Sequence, residues 1–423
     1  MNIFKKIGVI DWLFICLMSW YPISAFIKLF YMNLDISIVY LILSLSFFFL
    51  TVSNKDFFKV LRNTSCIMMI WFFYLFFFFY HTEMEPVVPL KIVKGYLITA
   101  KIISYKTIFF IGGAIYIYKN RYRLNFVFYN LMLLGTILSS LLLVYVFYSQ
   151  GLSFFLAEGA TVEGTSITLI LMSYNFVVFA VLSLFIIYDK KEHRMVGWIC
   201  LIICVICILF MGKRGALLSI VGPAVCLYLF ANKTWQKSLF YICSLVILYF
   251  LIIQNIDSLF DFMSLFNQRL VEQSKLAYYY GDTNGRDILW EIAIKQINLG
   301  PMFGYYPLLI IGDINSFSWG MHPHNIFLES IMTMGYVGSI PFFLYVIYTM
   351  IKKVYRCIII DSPYRFFGLL FVSEIIHNCF SGTLHASWIW PLLFIFSYIS
   401  SDSKLTTKQK RYLQHSPYKR QSS

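Results

Sequence analysis

The amino-acid sequence predicts an all-α polytopic membrane protein, and two observations carry this prediction. Of the 423 residues, 60% are hydrophobic and only 13% are charged, too few charges to cover the surface of a soluble protein of this size. Long apolar runs such as 131–147 approach the length that a helix needs to cross a bilayer. They lack the alternation of a barrel strand, which leaves helices as the elements that satisfy their own backbone in lipid.

The apolar runs predict about twelve transmembrane helices, with one large loop between the ninth and the tenth. The predicted spans are 9–31, 34–53, 64–80, 95–118, 124–148, 167–188, 194–212, 214–231, 236–256, 326–351, 364–381 and 384–400. Residues 1–400 therefore form a helical membrane domain that includes the loop at 257–325. Residues 401–423 form a basic tail.

The positive charges orient these helices. Most of the 34 Lys and Arg residues fall in alternate connections, starting with the N-terminus and ending with the tail. The loop at 149–166 instead carries Glu158 and Glu163 and no positive charge. Because Lys and Arg accumulate on the cytoplasmic side, both termini are predicted to be cytoplasmic and the 257–325 loop to lie outside. The net charge of +14 is then a topology signal and does not indicate a nucleic-acid partner.

A first candidate site is the short connection Gly212-Lys213-Arg214-Gly215, on the side where cations are disfavoured. The next predicted helix begins here, and helix N-termini favour anions such as phosphate. The planar fork of an arginine binds phosphate at two points. The alternative interpretation is that the aliphatic parts of both side chains lie in the apolar region while their charges reach the lipid headgroups.

A second candidate lies in the large loop, where Gly285-Arg286 precedes the helical pattern that contains Trp290. Arg286 would stand in the first turn of that helix. The alternative is a surface arginine paired with an acidic neighbour such as Asp287.

A third candidate is His322-Pro323-His324-Asn325, directly before the tenth span. Histidine is suited to accept a hydroxyl proton near neutral pH, and Asn325 is a suitable N-cap. A metal pair and a structural turn are the alternatives. A metal would need a third ligand, and the sequence offers no compact cluster that supplies one.

Glu374 and His377 lie three residues apart within a predicted span, and therefore on one face of it. An ionisable pair in a membrane helix suggests an internal polar path, whereas mutual satisfaction within the bundle is the alternative.

Taken in order, these features resemble the family of O-antigen polymerases (Wzy) and O-antigen ligases. That family has about twelve spans, a large late periplasmic loop, an R-G stretch between two helices, a G-R…W stretch in the loop, and H-N…E followed by G-x-x-G in the next helix. The matching residues are Lys213-Arg214-Gly215, Gly285-Arg286 with Trp290, His324-Asn325 with Glu329, and Gly335 with Gly338.

The resemblance implies a metal-independent glycosyltransferase of the bacterial inner membrane that needs no cofactor. Its partners would be membrane lipid, an undecaprenyl-diphosphate-linked oligosaccharide and, as a further candidate, a chain-length regulator. Arg214 and Arg286 would bind the diphosphate, and His324 would be the catalytic base. Lys213 replaces the serine or threonine often found before the arginine. His322 is a second imidazole beside the predicted base, and both residues count as candidate binding groups.

The function expected from this resemblance is that of an O-antigen polymerase. It would transfer a growing glycan from undecaprenyl diphosphate to a sugar hydroxyl of the next lipid-linked repeat unit, at the periplasmic face. The first alternative is an O-antigen ligase that joins the glycan to lipid A–core. The second is a transporter or flippase of a lipid-linked anion, which the lack of paired repeats and interrupted helices disfavours.

Overall fold

The structure, a computed structural model, describes residues 8–31, 35–84, 105–117, 119–120, 124–156, 169–189, 191–231, 235–281, 285–307, 309, 323–359, 364–380, 384 and 387–399. Within these ranges the chain is helical and contains no strand. The predicted all-α class is therefore confirmed. The basic tail at 401–423 lies outside the described residues and stays a prediction.

In the N-terminal half, the described helices are α1 (Val9–Met18), α2 (Trp20–Phe30), α3 (Ile36–Thr51), α4 (Asn54–Met84), α5 (Tyr105–Ile117), α6 (Leu124–Gln150), α7 (Leu152–Leu156), α8 (Leu169–Asp189) and α9 (Arg194–Phe210). A short 3-10 turn, Lys191–His193, leads into α9. These bounds agree with the predicted spans to within a few residues for α6, α8 and α9.

In the C-terminal half, the described helices are α10 (Arg214–Phe230), α11 (Trp235–Gln254), α12 (Ile256–Ser264), α13 (Gln268–Tyr280), α14 (Arg286–Ile297), α15 (Ile326–Thr349), α16 (Tyr355–Ile359), α17 (Arg365–Phe380) and α18 (Ile389–Ile399). A π-helical turn, Met350–Val354, connects α15 to α16. The helices α12, α13 and α14 belong to the predicted large loop.

Four of the described helices are long and apolar enough to cross a membrane alone: Asn54–His81, Phe126–Gln150, Leu169–Asp189 and Ile326–Ile359. Two further pairs qualify only when taken together, α1 with α2 and α11 with α12, and each pair is bent by 77°. The described residues thus contain four to six candidate spans, and the total of about twelve stays a prediction. The predicted single helix at 9–31 is wrong, because hydropathy reports apolarity and not the change of direction at Ser19.

The helix α8 is the centre of the bundle. Its residues from Phe176 to Ile187 are all buried, and it packs against α6, α9, α10 and α17. A helix that is apolar on every face belongs in a core or a membrane. At Gly135 of α6, an added Cβ would lie 2.0 Å from the ring of Phe179, so the missing side chain lets the two helices approach.

Contacts between helix ends define two ends of the bundle. At what we call the loop end, the amide of Asn267 donates to the Phe210 carbonyl (2.9 Å), and His81 Nε2 donates to the Phe303 carbonyl (3.0 Å). These bonds tie the large loop to the ends of α9 and α4.

At the opposite end, ion pairs connect the helices. Lys119 Nζ lies 2.6 Å from Asp56, and Arg365 pairs with Asp189 although both side chains are almost fully buried. Burial makes such a pair costly to break, because the remaining charge would be left without its partner. The α8–α17 contact is therefore fixed at this end.

The helix α15 is broken at Gly335, where φ is 59° and ψ is −169°, a region open essentially to glycine alone. The turn at 300–305 inserts at the break. Its backbone bonds are Tyr336 N to Pro301 O (2.8 Å), Val337 N to Met302 O (3.1 Å) and Tyr305 N to Met332 O (2.9 Å). The predicted G-x-x-G stretch thus marks the place where the backbone of the loop is hydrogen-bonded to the backbone of α15.

Candidate functional site

The connection between α9 and α10 is held by the large loop. Gly212 has φ of 69°, and a Cβ there would lie 2.9 Å from the amide nitrogen of Asn267. The side-chain oxygen Oδ1 of Asn267 also accepts from Leu270 N and so caps α13. One side chain therefore both begins a loop helix and supports the glycine turn. Lys213 is the N-cap residue of α10 and is half-buried.

Arg214 is half-buried and bonded to the loop. Its Nη1 donates to the backbone carbonyl of Gln273 in α13 at 2.5 Å. With the Gln273 amide oriented so that its oxygen faces Arg269, that oxygen accepts from Nε and Nη2 of Arg269 at 3.2 Å each. Gln273 therefore accepts from Arg214 through its backbone and from Arg269 through its side chain. Two guanidinium groups that share one partner residue favour an anion nearby.

Arg286 lies in the first turn of α14, which follows Gly285 in the left-handed region (φ 72°). Its side chain is half-buried. Burial lowers the pKa of Arg286, and the nearby Tyr174 of α8 acts in the opposite direction. An arginine stays protonated even so, and a partly desolvated guanidinium favours an anionic partner.

The segment that carries His324 is bonded to the helix that carries Arg286. The indole Nε1 of Trp290 donates to the Pro323 carbonyl at 2.7 Å. Trp290 follows Arg286 by four residues, so the two side chains share a face of α14. The structure thereby places Arg286 and His324 in adjoining segments at the loop end.

His324 has φ of 50°, which makes it the one described residue other than glycine with a positive φ. A non-glycine residue in this region costs about 1–2 kcal/mol, although histidine is among the residue types that adopt it more often. Asn325 directly follows and caps α15, accepting from Phe327 N at 2.9 Å and Leu328 N at 3.3 Å. The predicted cap is therefore confirmed. His322 lies outside the described residues.

Glu329 of the H-N…E stretch has a structural contact. Its side chain is almost fully buried, and its Oε2 accepts from the backbone N of Leu384 at 2.8 Å. This bond connects the first turn of α15 to the segment that precedes α18. In this position Glu329 supports the site without forming part of it.

The predicted pair in α17 belongs to a buried polar cluster. His377 Nδ1 lies 3.8 Å from Glu374 Oε1, and Asn378 Nδ2 donates to Glu374 Oε2 at 3.0 Å. The ring of His377 stacks on Tyr174 with 3.5 Å between ring centroids. Tyr174 also interacts electrostatically with Arg286, which relates this cluster to the arginine.

The segment that carries these three motifs matches a known protein family. Residues 199–343 match the family model described as O-antigen ligase (Wzy_C). The matched segment begins in α9 and ends in α15, and it contains Arg214, Arg286 and His324. The resemblance predicted from the motifs is therefore confirmed over this segment. No match was found among curated proteins.

The family match concerns residues 199–343. Family members are membrane enzymes that transfer glycosyl groups, and the apolar helices described above agree with a membrane-embedded protein. The match does not separate polymerase from ligase. Among the described residues, no group of three His, Cys, Asp or Glu side chains could hold a metal ion.

Sequence reasoning missed several residues that interact with the motifs. Asn267 caps α13 and Gln273 lies within it, both without a distinctive motif, and Tyr174 is one tyrosine among 31. Asn267 carried a usable signal, since an asparagine before an amphipathic run is a typical N-cap. Nothing in the sequence around Arg269 or Tyr174 distinguishes them, because their role arises from tertiary contacts.

If His324 is the base of a glycan transfer, as the resemblance implies, His324→Asn should lower the rate of that transfer about a hundredfold while the protein keeps its stability. Asparagine tolerates a positive φ but cannot accept the hydroxyl proton. The measurements are initial rates in proteoliposomes with a lipid-diphosphate-linked glycan, and binding of that donor. Lost donor binding with an intact melting temperature would make His324 a binding group, and unchanged rates would move the base elsewhere, with His322 the next variant.

Proposed function

We propose that the protein transfers a glycan from a polyprenyl diphosphate carrier to a sugar hydroxyl, as an O-antigen polymerase. The observation that supports this most is that three separate chain segments lie at the loop end. Gln273 contacts Arg214, and Trp290 connects the helix of Arg286 to Pro323, next to His324.

In the proposed reaction, the acceptor hydroxyl attacks the anomeric carbon of the donor glycan. His324 takes the hydroxyl proton, a new C–O glycosidic bond forms, and the C–O bond to the diphosphate breaks. Undecaprenyl diphosphate leaves with the bonding electrons. Arg214 and Arg286 would stabilise the charge that develops on the leaving group, the part that a metal ion performs in other glycosyltransferases. Lys213 and His322 are proposed as further binding groups.

The proposal places the loop end at the periplasmic face of a bacterial inner membrane and both termini in the cytoplasm. Support comes from the charge distribution of the sequence. The ion pair of Lys119 with Asp56 and that of Arg365 with Asp189 both lie at the opposite end, beside predicted cytoplasmic loops. A lipid-linked anion would then reach the arginines from the outer leaflet.

The acceptor is proposed to be the next lipid-linked repeat unit. Tyr278, Tyr279 and Tyr280 of α13 are all exposed, and ring faces suit sugar stacking. Tyr306 offers no such face, because it is buried and its carbonyl accepts from Gln296. The second candidate is an O-antigen ligase, the activity by which the matched family is described.

A transporter or flippase is the rival from another class. The expectation of uninterrupted helices was wrong, since α15 is broken at Gly335, and Glu374 and His377 lie within the bundle, as a transporter would use them. The motif arginines, in contrast, lie at the loop end, where Arg214 bonds to a loop helix. An in vitro assay separates the classes, since a flippase forms no new glycosidic bond.

Deletion of the gene is expected to leave lipopolysaccharide with core plus a single repeat unit and without the long ladder. A polymerase extends the glycan on its carrier, so a single unit can still be ligated in its absence. Silver-stained gels of the deletion strain, with the strain complemented by the intact gene as the control, provide the measurement. Bare core with long carrier-linked chains accumulating would identify a ligase, and an unchanged ladder would exclude both.

A further inference from the structure

The loop helix α12 carries an apolar stripe on its outer face. Leu259, Phe262, Met263 and Phe266 follow one another at helical spacing, so they share one face that extends just beyond the end of the helix. Leu259 and Phe262 are exposed, with 53% of Phe262 accessible, and the other two are half-buried. An exposed stripe of this kind on a membrane protein indicates contact with something apolar.

The other face of α12 is occupied by α13. Phe260 is buried, with Lys275 Nζ 5.6 Å from its ring centroid, and Asp257 Oδ1 accepts from the hydroxyl of Tyr279 at 2.7 Å. The polar residues Asp257 and Asp261 stand on this side or beside it. The helical hairpin of α12 and α13 is therefore closed by its own contacts, and the stripe faces away from it.

The direction of α12 identifies what it faces. The preceding helix α11 is uncharged from Tyr241 to Ile253, and its side chains Val246, Leu248 and Phe250 are exposed, as expected for a helix in contact with lipid. The axis of α12 is bent by 77° from the axis of α11. If α11 runs across the bilayer, α12 lies close to parallel with the membrane surface.

We propose that α12 is an interfacial helix, seated at the boundary between headgroups and acyl chains by Leu259, Phe262, Met263 and Phe266. An amphipathic helix buries its apolar face several ångströms into this boundary while its polar face stays in water. Two acidic residues stand on the water side, which favours anchoring by apolar burial over attraction to anionic headgroups.

The position of α12 in the membrane surface would affect Arg214, because α12 is packed on α13 and the Gln273 carbonyl of α13 accepts from Arg214. The membrane surface would thereby fix the depth of the Arg214 guanidinium relative to the headgroups. The diphosphate of a membrane-anchored lipid lies at the depth of the headgroups as well. This inference concerns the lipid contact alone and stands whether or not the proposed transfer reaction is correct.

Nitroxide labels on the full-length protein in lipid nanodiscs test the seat. Phe262→Cys carries the label on the stripe, and Asp261→Cys is the matched control on the adjacent polar side. Both are made in a variant whose nine native cysteines are replaced. We expect the label at 262 to collide preferentially with oxygen, which concentrates in lipid, and the label at 261 with a water-soluble nickel chelate.

Equal access of the nickel chelate to both labels would overturn the proposal, because α12 would then lie in water. Preference for oxygen at both positions would also overturn it, because α12 would then continue a span. Should the cysteine-free variant fail to fold, a diazirine on phosphatidylethanolamine acyl chains can label the unmodified chain. Mass spectrometry should then find the label at 259, 262, 263 and 266 and not at 257 or 261.

Discussion

Gly335→Ala is expected to abolish most of the folded protein. The φ and ψ of Gly335 fall where other residues are essentially excluded, and its added Cβ would lie 2.2 Å from the Met302 carbonyl oxygen. Since the backbone of 301–302 is bonded to Tyr336 and Val337, the neighbour cannot move without breaking these bonds. We expect the free energy of unfolding to fall by about 3 kcal/mol or more, which is enough to unfold a marginally stable protein.

The control for Gly335→Ala is Gly281→Ala at the end of α13. Gly281 also has a positive φ (67°), but a Cβ there would meet nothing within 4 Å. Its substitution should cost about 1–2 kcal/mol, the penalty of the left-handed backbone alone. Yield and melting temperature of detergent-solubilised fusion proteins provide the comparison. A Gly335→Ala protein with the same melting temperature as Gly281→Ala would mean that α15 can straighten without the inserted turn.

The helices could be predicted from the sequence because apolarity is a local property. The predicted spans 124–148, 194–212 and 214–231 overlap α6, α9 and α10 almost completely. The bend between α1 and α2 and the break in α15 could not be predicted in this way. Their geometry depends on which backbone group meets which neighbour, and a hydropathy pattern contains no information on that.

The candidate site shows the same division. Arg214, Arg286 and His324 could be selected because each stands at a helix start or before one, with glycine or proline beside it. The residues that join them, Gln273 and Tyr174, could not. Gln273 acts on Arg214 through its backbone carbonyl, which any residue type would supply, so no sequence signal for it exists.

The resemblance and the structure contribute different parts of the conclusion. The motif order pointed to the chemistry of a lipid-diphosphate donor, and the family match over 199–343 agrees with it. The structure adds why the motifs are distant in sequence. One lies at the start of α10, one at the start of α14 and one directly before α15, and these helix starts all lie at the loop end of the bundle.

Arg286→Ala is expected to lower kcat/KM about a thousandfold, and Arg286→Lys at least on the order of a hundredfold. Lysine keeps the charge but replaces a planar fork with a single ammonium group. Because the Arg286 side chain is half-buried, water would replace the second contact less readily than on an exposed surface. Arg214→Lys should behave in the same way, since the fork must bind the Gln273 carbonyl and the donor at once.

The matched control is Lys295→Ala on the same helix. Lys295 is exposed. Its Nζ lies 2.7 Å from Glu291 Oε1, one turn earlier on the same face of α14. An exposed pair of this kind contributes little to stability, so both the fold and the rate should be unchanged. Initial rates and binding of undecaprenyl diphosphate are measured for all four proteins in proteoliposomes. Arg286→Lys with the activity of Lys295→Ala would show that Arg286 supplies a surface charge and does not bind the diphosphate.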